Sequence, residues 1–226
     1  PISPRILRKI VIAALAALLS ALVPAKQNDS PPPTNTTRPQ RSKGQTSHTP
    51  SEKGASWQTI RNATLLENPW NDGDSFHILA DGTHRVFRLY FVDTPETDRS
   101  LSDRIRTQAA FFHLRPEQIP ALGERAAAFS SALLRGKPIT VRTRWRDALG
   151  RSKLGRHYAL IEVNGKDVGC LLVQNGLART YGMKTDLPDG SDADRMGQKL
   201  HQLEREAKQK KTGAWALDRK STRLNS

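Results

Sequence analysis

The chain has 226 residues, 36% of them hydrophobic, which is enough for one domain with a real core and hardly enough for two. Its formal net charge of +14 favours a polyanionic partner such as nucleic acid or an anionic membrane surface. The single cysteine, Cys170, excludes an intramolecular disulfide and argues against a thiolate metal site.

The first 25 residues have the pattern of an export signal. Three basic residues precede an apolar run at residues 10–23, and Ala25 follows at a position suited to cleavage. Fourteen helical residues span about 21 Å, which is short of a hydrocarbon core of about 30 Å. We therefore expect residues 1–25 to be a signal peptide, with an uncleaved membrane anchor as the alternative, and the protein to be secreted or periplasmic.

The composition changes on either side of the predicted domain. Residues 26–56 are rich in Pro, Ser, Thr, Gln and Asn and lack any apolar period. Such a sequence cannot bury enough surface to offset the entropy of ordering, so it predicts a disordered linker. Residues 218–226 have no pattern that joins a core and are predicted to be a disordered tail. The folded domain is therefore expected at residues 57–217.

Strand patterns begin this domain. The sequence WQTIRNATLLEN alternates imperfectly, and the pair Asp81-Gly82 separates the apolar runs DSFHILA and THRVFRLYFV. An Asp-Gly pair between two such runs is a strong hairpin signal, because both turn residues need positive φ. We predict a hairpin over residues 75–92.

Helical patterns dominate from 101 to 135, in SDRIRTQAAFF and in a stronger run that Gly136 and Pro138 close. Strand alternation returns in PITVRTRW and HYALIEV, and two helical segments follow, DVGCLLVQNGLA and DRMGQKLHQLEREAKQKK. Five strands in short hairpins, with helical sequence inserted between the third and fourth, predict an α+β fold. The expected architecture is a five-stranded Greek-key OB-fold barrel with about three α-helices packed outside.

Charged residues gather around the predicted hairpin and its continuation. Asp74, Arg88, Asp93 and Glu96 are costly to place near a barrel core unless something pairs them. Because Arg88 and Asp93 are five residues apart, strict alternation would point them to opposite faces of a strand. We therefore predict a bulge or strand end near residues 90–92 that lets them converge.

The order and spacing of five motifs resemble the staphylococcal nuclease (thermonuclease-like) family. The motifs are DGDS, RLYFVDTPET, LGRHYALIEVNGKDV, LVQNGLAR and LEREAKQKKTGAW, and the resemblance covers about Trp57 to Leu217. It implies a metal-dependent phosphodiesterase that acts on DNA and RNA, with Ca²⁺ as its cofactor. Because phosphate contacts carry no sequence information, we expect little sequence preference, and we expect a monomer.

Phosphodiester hydrolysis fits these residue types. Its transition state gathers negative charge on the phosphate oxygens, so the reaction needs a hard cation, cationic side chains and a carboxylate that acts on water. Oxygen ligands select Ca²⁺ or Mg²⁺, so Asp74, Asp93 and the backbone carbonyl of Thr94 are the predicted metal ligands.

The remaining groups are assigned to the phosphate, the water and the substrate. Arg88 and Arg156 are expected to clamp the phosphate, because a planar guanidinium can bind two oxygens at once. Glu96 is expected to act as general base or to position the attacking water. Lys153 and Tyr181 are assigned to substrate binding, since Tyr181 lies where the family places aromatic residues that contact a nucleobase.

Two alternatives and two departures accompany this interpretation. The sequence TPET, taken alone, also suits the start of a helix with Thr94 as N-cap. The competing function for the domain is a non-catalytic OB-fold module that binds nucleic acid. Residues 97–123 are longer than the family's loop and can form a helix beside the cleft, and Leu154 stands where the family often has an aromatic residue. These departures put substrate access and base preference in doubt, and not the chemistry.

Overall fold

A computed structural model describes residues 56–149 and 155–217. The signal peptide or anchor at residues 1–25, nearly all of the linker, the tail at 218–226, Lys153 and Leu154 lie outside the described residues. Within the described ranges, no helix has both the length and the apolar character needed to cross a bilayer.

The described ranges contain eight strands, four α-helices and two short 3₁₀ helices. The strands are β1 (Gln58–Leu65), β2 (Ser75–Ala80), β3 (Thr83–Leu89), β4 (Val92–Asp93), β5 (Ile139–Asp147), β6 (Arg156–Val163), β7 (Lys166–Asp167) and β8 (Arg179–Thr180). The α-helices are α1 (Ser102–Phe112), α2 (Ile119–Leu134), α3 (Val168–Gln174) and α4 (Ala193–Gln209), and the 3₁₀ helices are Pro116–Gln118 and Gly213–Ala216.

Five of the strands form a closed barrel. Antiparallel pairing joins β3 to β2, β2 to β1, β1 to β5 and β5 to β6, and parallel pairing of β3 with β6 closes the circle. Closure leaves no long unpaired edge, which an open sheet of this size would expose. The predicted α+β barrel of five strands is confirmed, with four α-helices where the sequence predicted about three.

The predicted hairpin consists of β2 and β3, paired from Ser75 opposite Arg88 to Ala80 opposite Thr83. Its turn residues, Asp81 and Gly82, have φ values of 48° and 70°, as a turn of this kind requires. Alternate side chains of the hairpin point into the barrel. The core there includes Phe76, Ile78 and Phe87, each at most 1% exposed.

The predicted interruption after the hairpin is confirmed. The strand β3 ends at Leu89, Phe91 has a φ of 67°, and β4 then pairs with β8 outside the barrel, with Asp93 opposite Arg179. The interruption turns Asp93 back towards Arg88. Residues 94–98, which follow, are not helical, so the interpretation of TPET as a helix start is wrong.

The helical sequence between the third and the fourth barrel strand forms two helices. The first, α1, ends where His113 takes a left-handed φ of 58°, and Pro116 begins the 3₁₀ turn that leads into α2. The backbone of α2 at Gly123 lies against the loop after β4. A Cβ there would lie 2.4 Å from the carbonyl oxygen of Pro95, an approach that only glycine permits.

Replacing Gly123 by Ala should push the backbone of Pro95 and Glu96 outward. We expect the free energy of unfolding to fall by about 1–3 kcal/mol, the usual cost of overpacking, measured by urea denaturation. The matched control is Gly197→Ala in α4, where the added Cβ would meet nothing within 4 Å. There the better helix propensity of Ala should raise the stability by up to about 1 kcal/mol. Equal effects of the two substitutions would contradict the close packing at Gly123.

Candidate functional site

The Asp74 carboxylate joins the loop before β2 to the start of the loop after β4. In the first loop, Asp72 Oδ1 accepts hydrogen bonds from the backbone N–H groups of Asp74 at 3.0 Å and Ser75 at 2.7 Å, which fixes the turn. Asp74 is buried, and its Oδ2 accepts from Thr94 N at 2.9 Å and from Arg88 Nη2 at 3.2 Å. Burial and the Asp74 charge raise the pKa of Asp72 to about 7.

Asp93 is the most heavily bonded carboxylate of this cluster. Its Oδ1 accepts from Arg88 Nη2 at 2.9 Å and from Arg104 Nη2 at 2.7 Å. Its Oδ2 accepts from Gln108 Nε2 at 3.0 Å and from Arg179 Nε at 2.9 Å, and Arg179 Nη2 lies 2.9 Å from the same oxygen in an ion pair. The residue is only 1% exposed. Such a buried charge is tolerated because its partners and hydrogen bonds replace the water it has lost.

Glu96 is tied to helix α1 by its side chain and by its backbone. Its Oε1 lies 2.8 Å from Arg104 Nη1, and its backbone N–H donates to Gln108 Oε1 at 2.8 Å. The same Gln108 amide donates to the Thr94 carbonyl oxygen at 2.9 Å. Burial raises the pKa of the Glu96 carboxyl, against the attraction of Arg104.

Arg88 and Arg156 lie on neighbouring strands. The parallel register of β3 and β6 places Val86 opposite Arg156 and Arg88 opposite Tyr158. Burial and the nearby Arg88 charge lower the pKa of Arg156 below its ordinary value. Arg156 donates from Nε and Nη2 to the carbonyl oxygen of Leu149, at 3.1 and 2.6 Å.

Tyr181 follows β8 and lies outside this hydrogen-bonded group. It is 59% exposed, and the Cζ atom of Arg179 lies 4.3 Å from the centroid of its ring. It lines a surface pocket together with Phe91, Lys184 and His201. Arg179 therefore contacts both the exposed ring of Tyr181 and the buried carboxylate of Asp93.

The structure thus brings four of the predicted residues into direct contact, namely Asp74, Arg88, Asp93 and Thr94. Glu96 is linked to them through Arg104 and Gln108, and Arg156 lies on the adjoining strand. Three parts of the cluster were not predicted from the sequence: Arg104, Gln108 and Arg179. A signal for Gln108 did exist, since it is a polar residue on the face of SDRIRTQAAFF that buries Ile105 and Ala109.

The donor chemistry of the cluster fits a hard cation. The carboxylates of Asp74 and Asp93 and the carbonyl of Thr94 present only oxygen atoms, which Ca²⁺ and Mg²⁺ prefer. A cation there has to compete with Arg88 and Arg104 for the carboxylate oxygens they bind. In the part of the chain that the structure describes, no group of three or more Asp, Glu, His or Cys side chains could hold a metal ion.

A protein-family model matches this chain. It is described as staphylococcal nuclease homologue, and it matches residues 86–217, which is more than half of the sequence. The match begins within β3 and ends just after the last 3₁₀ helix. It includes Arg88, Asp93, Glu96 and Arg156, whereas Asp74 lies before its first residue.

Replacing Asp93 by Asn should remove the charge that three guanidinium groups share. Loss of one partner from a buried ion pair leaves the others uncompensated, so we expect the free energy of unfolding to fall by about 3–5 kcal/mol. Urea denaturation at neutral pH measures the change. The control is Asp103→Asn on the exposed face of α1, whose carboxylate forms an ion pair only with Arg106 among the described residues, and stability should be nearly unchanged. A similar small effect at Asp93 would contradict its place at the centre of the cluster.

Proposed function

Because the chain belongs to the staphylococcal nuclease homologue family, we propose that it is a Ca²⁺-dependent nuclease that hydrolyses the phosphodiester bonds of DNA and RNA. The observation that carries the proposal is the convergence of two buried aspartates, an arginine and a glutamate at the interruption between β3 and β4. These are the acidic and cationic groups that hydrolysis of an anionic ester requires.

Arg88 and Arg156 are assigned to the phosphate. The side chain of Arg88 is 15% exposed and is held by Asp74 and Asp93, so its guanidinium is fixed before a substrate arrives. The hydrogen bonds of Arg156 to Ala148 and Leu149 go to carbonyl oxygens and leave its positive charge for an anionic ligand. Two such groups stabilise the charge that develops on the phosphate oxygens.

Glu96 is assigned to the attacking water. A carboxylate accepts a proton best when its pKa lies near the working pH, and burial moves the pKa of Glu96 in that direction. The ion pair with Arg104 favours the ionised form, which is the form that can act as a base or orient a water. Either role, as base or as the group that orients water, requires a fixed Glu96 side chain. Arg104 and Gln108 of α1 hold Glu96 in place.

Asp74, Asp93 and the Thr94 carbonyl would hold the Ca²⁺ that the family resemblance implies. When bound, that cation supplies Lewis-acid stabilisation of the phosphate. The aspartates also keep the arginines in place, and the arginines keep the two carboxylates from repelling each other. The chain's own residues therefore balance the charge of the site without the cation.

Tyr181 and Lys153 are proposed to bind the substrate. The exposed ring of Tyr181 can stack on a base, and stacking tolerates every base, in keeping with little sequence preference. Lys153 is assigned from the sequence alone. The export pattern of residues 1–25 supports a secreted, periplasmic or membrane-tethered enzyme, which we propose acts as a monomer.

The competing function is a non-catalytic OB-fold module that binds nucleic acid. The observation in its favour is that both oxygens of Asp93 already accept hydrogen bonds from arginines or Gln108. A carboxylate with a purely structural role would be bonded in the same way. Only cleavage assays separate the two functions.

The full chain should degrade single-stranded DNA and RNA in Ca²⁺, and a chelator should abolish the reaction. We expect Glu96→Gln and Arg88→Ala each to reduce the rate by about 10²- to 10⁴-fold, because each removes a group that acts on the transition state. Circular dichroism checks that both variants are folded.

The matched controls are Glu117→Gln and Arg106→Ala, which change exposed residues of the same types and should leave the rate unchanged. Binding of nucleic acid without cleavage in Ca²⁺ or Mg²⁺ would refute the nuclease and favour the binding module.

A further inference from the structure

Helix α1 reaches into the cluster from one face. Arg104 and Gln108 are four residues apart, so they lie one above the other on the helix. Arg104 binds the side chains of Asp93 and Glu96, and Gln108 binds Asp93 together with the backbone on either side of Pro95. Helix α1 therefore contacts the cluster directly.

Both polar atoms of the Gln108 amide form hydrogen bonds with residues 93–96. Its Nε2 donates to Asp93 Oδ2 at 3.0 Å and to the Thr94 carbonyl oxygen at 2.9 Å, and its Oε1 accepts from Glu96 N at 2.8 Å. A backbone N–H can only donate and a carbonyl can only accept, so the orientation of the amide is determined by its partners. The side chain is completely buried.

Burying an amide side chain at a helix interface costs free energy, because the amide loses its hydrogen bonds to water. Its neighbours on the same face, Ile105, Ala109 and Phe112, are apolar, and an apolar side chain of similar length would pack there without the cost of desolvation. The hydrogen bonds of Gln108 offset that cost, and all three go to residues assigned to the cation or to the attacking water. Their common effect is to fix the conformation of residues 93–96.

We propose that Gln108 is a positioning residue of the nuclease site, which holds the Asp93 carboxylate, the Thr94 carbonyl and the Glu96 backbone in their working arrangement. The proposal rests on the proposed function. It assigns to helix α1 a part in the chemistry. Partners of this kind, which bind the ligand groups and not the substrate, typically contribute about 10- to 100-fold to affinity for the metal or to activity.

The test substitutes Met for Gln108 in the full chain, because Met has a similar length and makes no such hydrogen bonds. We expect kcat on single-stranded DNA to fall about 10- to 100-fold, with little change in KM for DNA and a higher Ca²⁺ concentration for half-maximal rate. The matched control is Gln202→Met on α4, an exposed glutamine whose change should alter neither quantity. An unchanged kcat and Ca²⁺ requirement in folded Gln108→Met would overturn the proposal.

A second measurement does not depend on activity. Hydrogen exchange of the backbone amides at residues 93–97, in metal-free buffer, should be about tenfold faster or more in Gln108→Met than in the unchanged chain. Gln108→Glu keeps an acceptor for the Glu96 N–H, but a carboxyl group has at most one O–H and cannot donate to both Asp93 and Thr94, so it should retain protection at Glu96 while kcat still falls. The Gln108→Glu variant also provides the test if Gln108→Met fails to fold. Equal exchange in all three proteins would overturn the proposal.

These two measurements separate the outcomes. An unchanged chain that does not cleave nucleic acid refutes the proposed function, and the exchange rates still decide whether Gln108 orders residues 93–97. An active unchanged chain with an equally active Gln108→Met variant refutes the positioning role and leaves the nuclease standing.

Discussion

The structure around the site depends on one buried carboxylate. Asp93 accepts hydrogen bonds from Arg88 in β3, Arg104 in α1 and Arg179 in β8, three elements that are far apart in the sequence. A buried charge that loses its partners is strongly destabilising, so the position of each element is coupled to the others through this group. The interruption between β3 and β4 is what makes the convergence possible, since an unbroken strand would point Asp93 away from Arg88.

The same interaction links the fold to the proposed chemistry. The arginines that neutralise Asp93 and Asp74 are also the groups that can attract a phosphate, and the oxygens they bind are those a hard cation would use. Charged groups of both signs are therefore fixed in place before substrate or cation binds. Preorganisation of this kind is effective because little rearrangement is left for the reaction step. Glu96 belongs to the arrangement through Arg104 and through its own backbone N–H.

Local signals in the sequence predicted most of the barrel and part of the site. The Asp-Gly turn specified the hairpin, and the spacing of Arg88 and Asp93 required the interruption that the structure contains. Helical periodicity marked α1 but reported only which face is buried, and it did not show that Gln108 on that face bonds residues 93–96. Arg179 is 86 positions from Asp93, and although it ends the motif LVQNGLAR, that motif does not show which residue it binds. Contacts of this range depend on the tertiary fold, which periodicity does not encode.

The most direct test of this account is Ca²⁺ binding to the full chain, compared by calorimetric titration with binding to Asp74→Asn. Asp74 is the better position to change than Asp93, because it pairs with Arg88 alone among the ion pairs of the described residues. If the two aspartates hold a cation between the arginines, the unchanged chain should bind Ca²⁺ and the variant should lose most of that affinity, since a hard cation loses a charged oxygen ligand. Equal binding by the two proteins, or cleavage of nucleic acid that continues in chelator, would contradict the account.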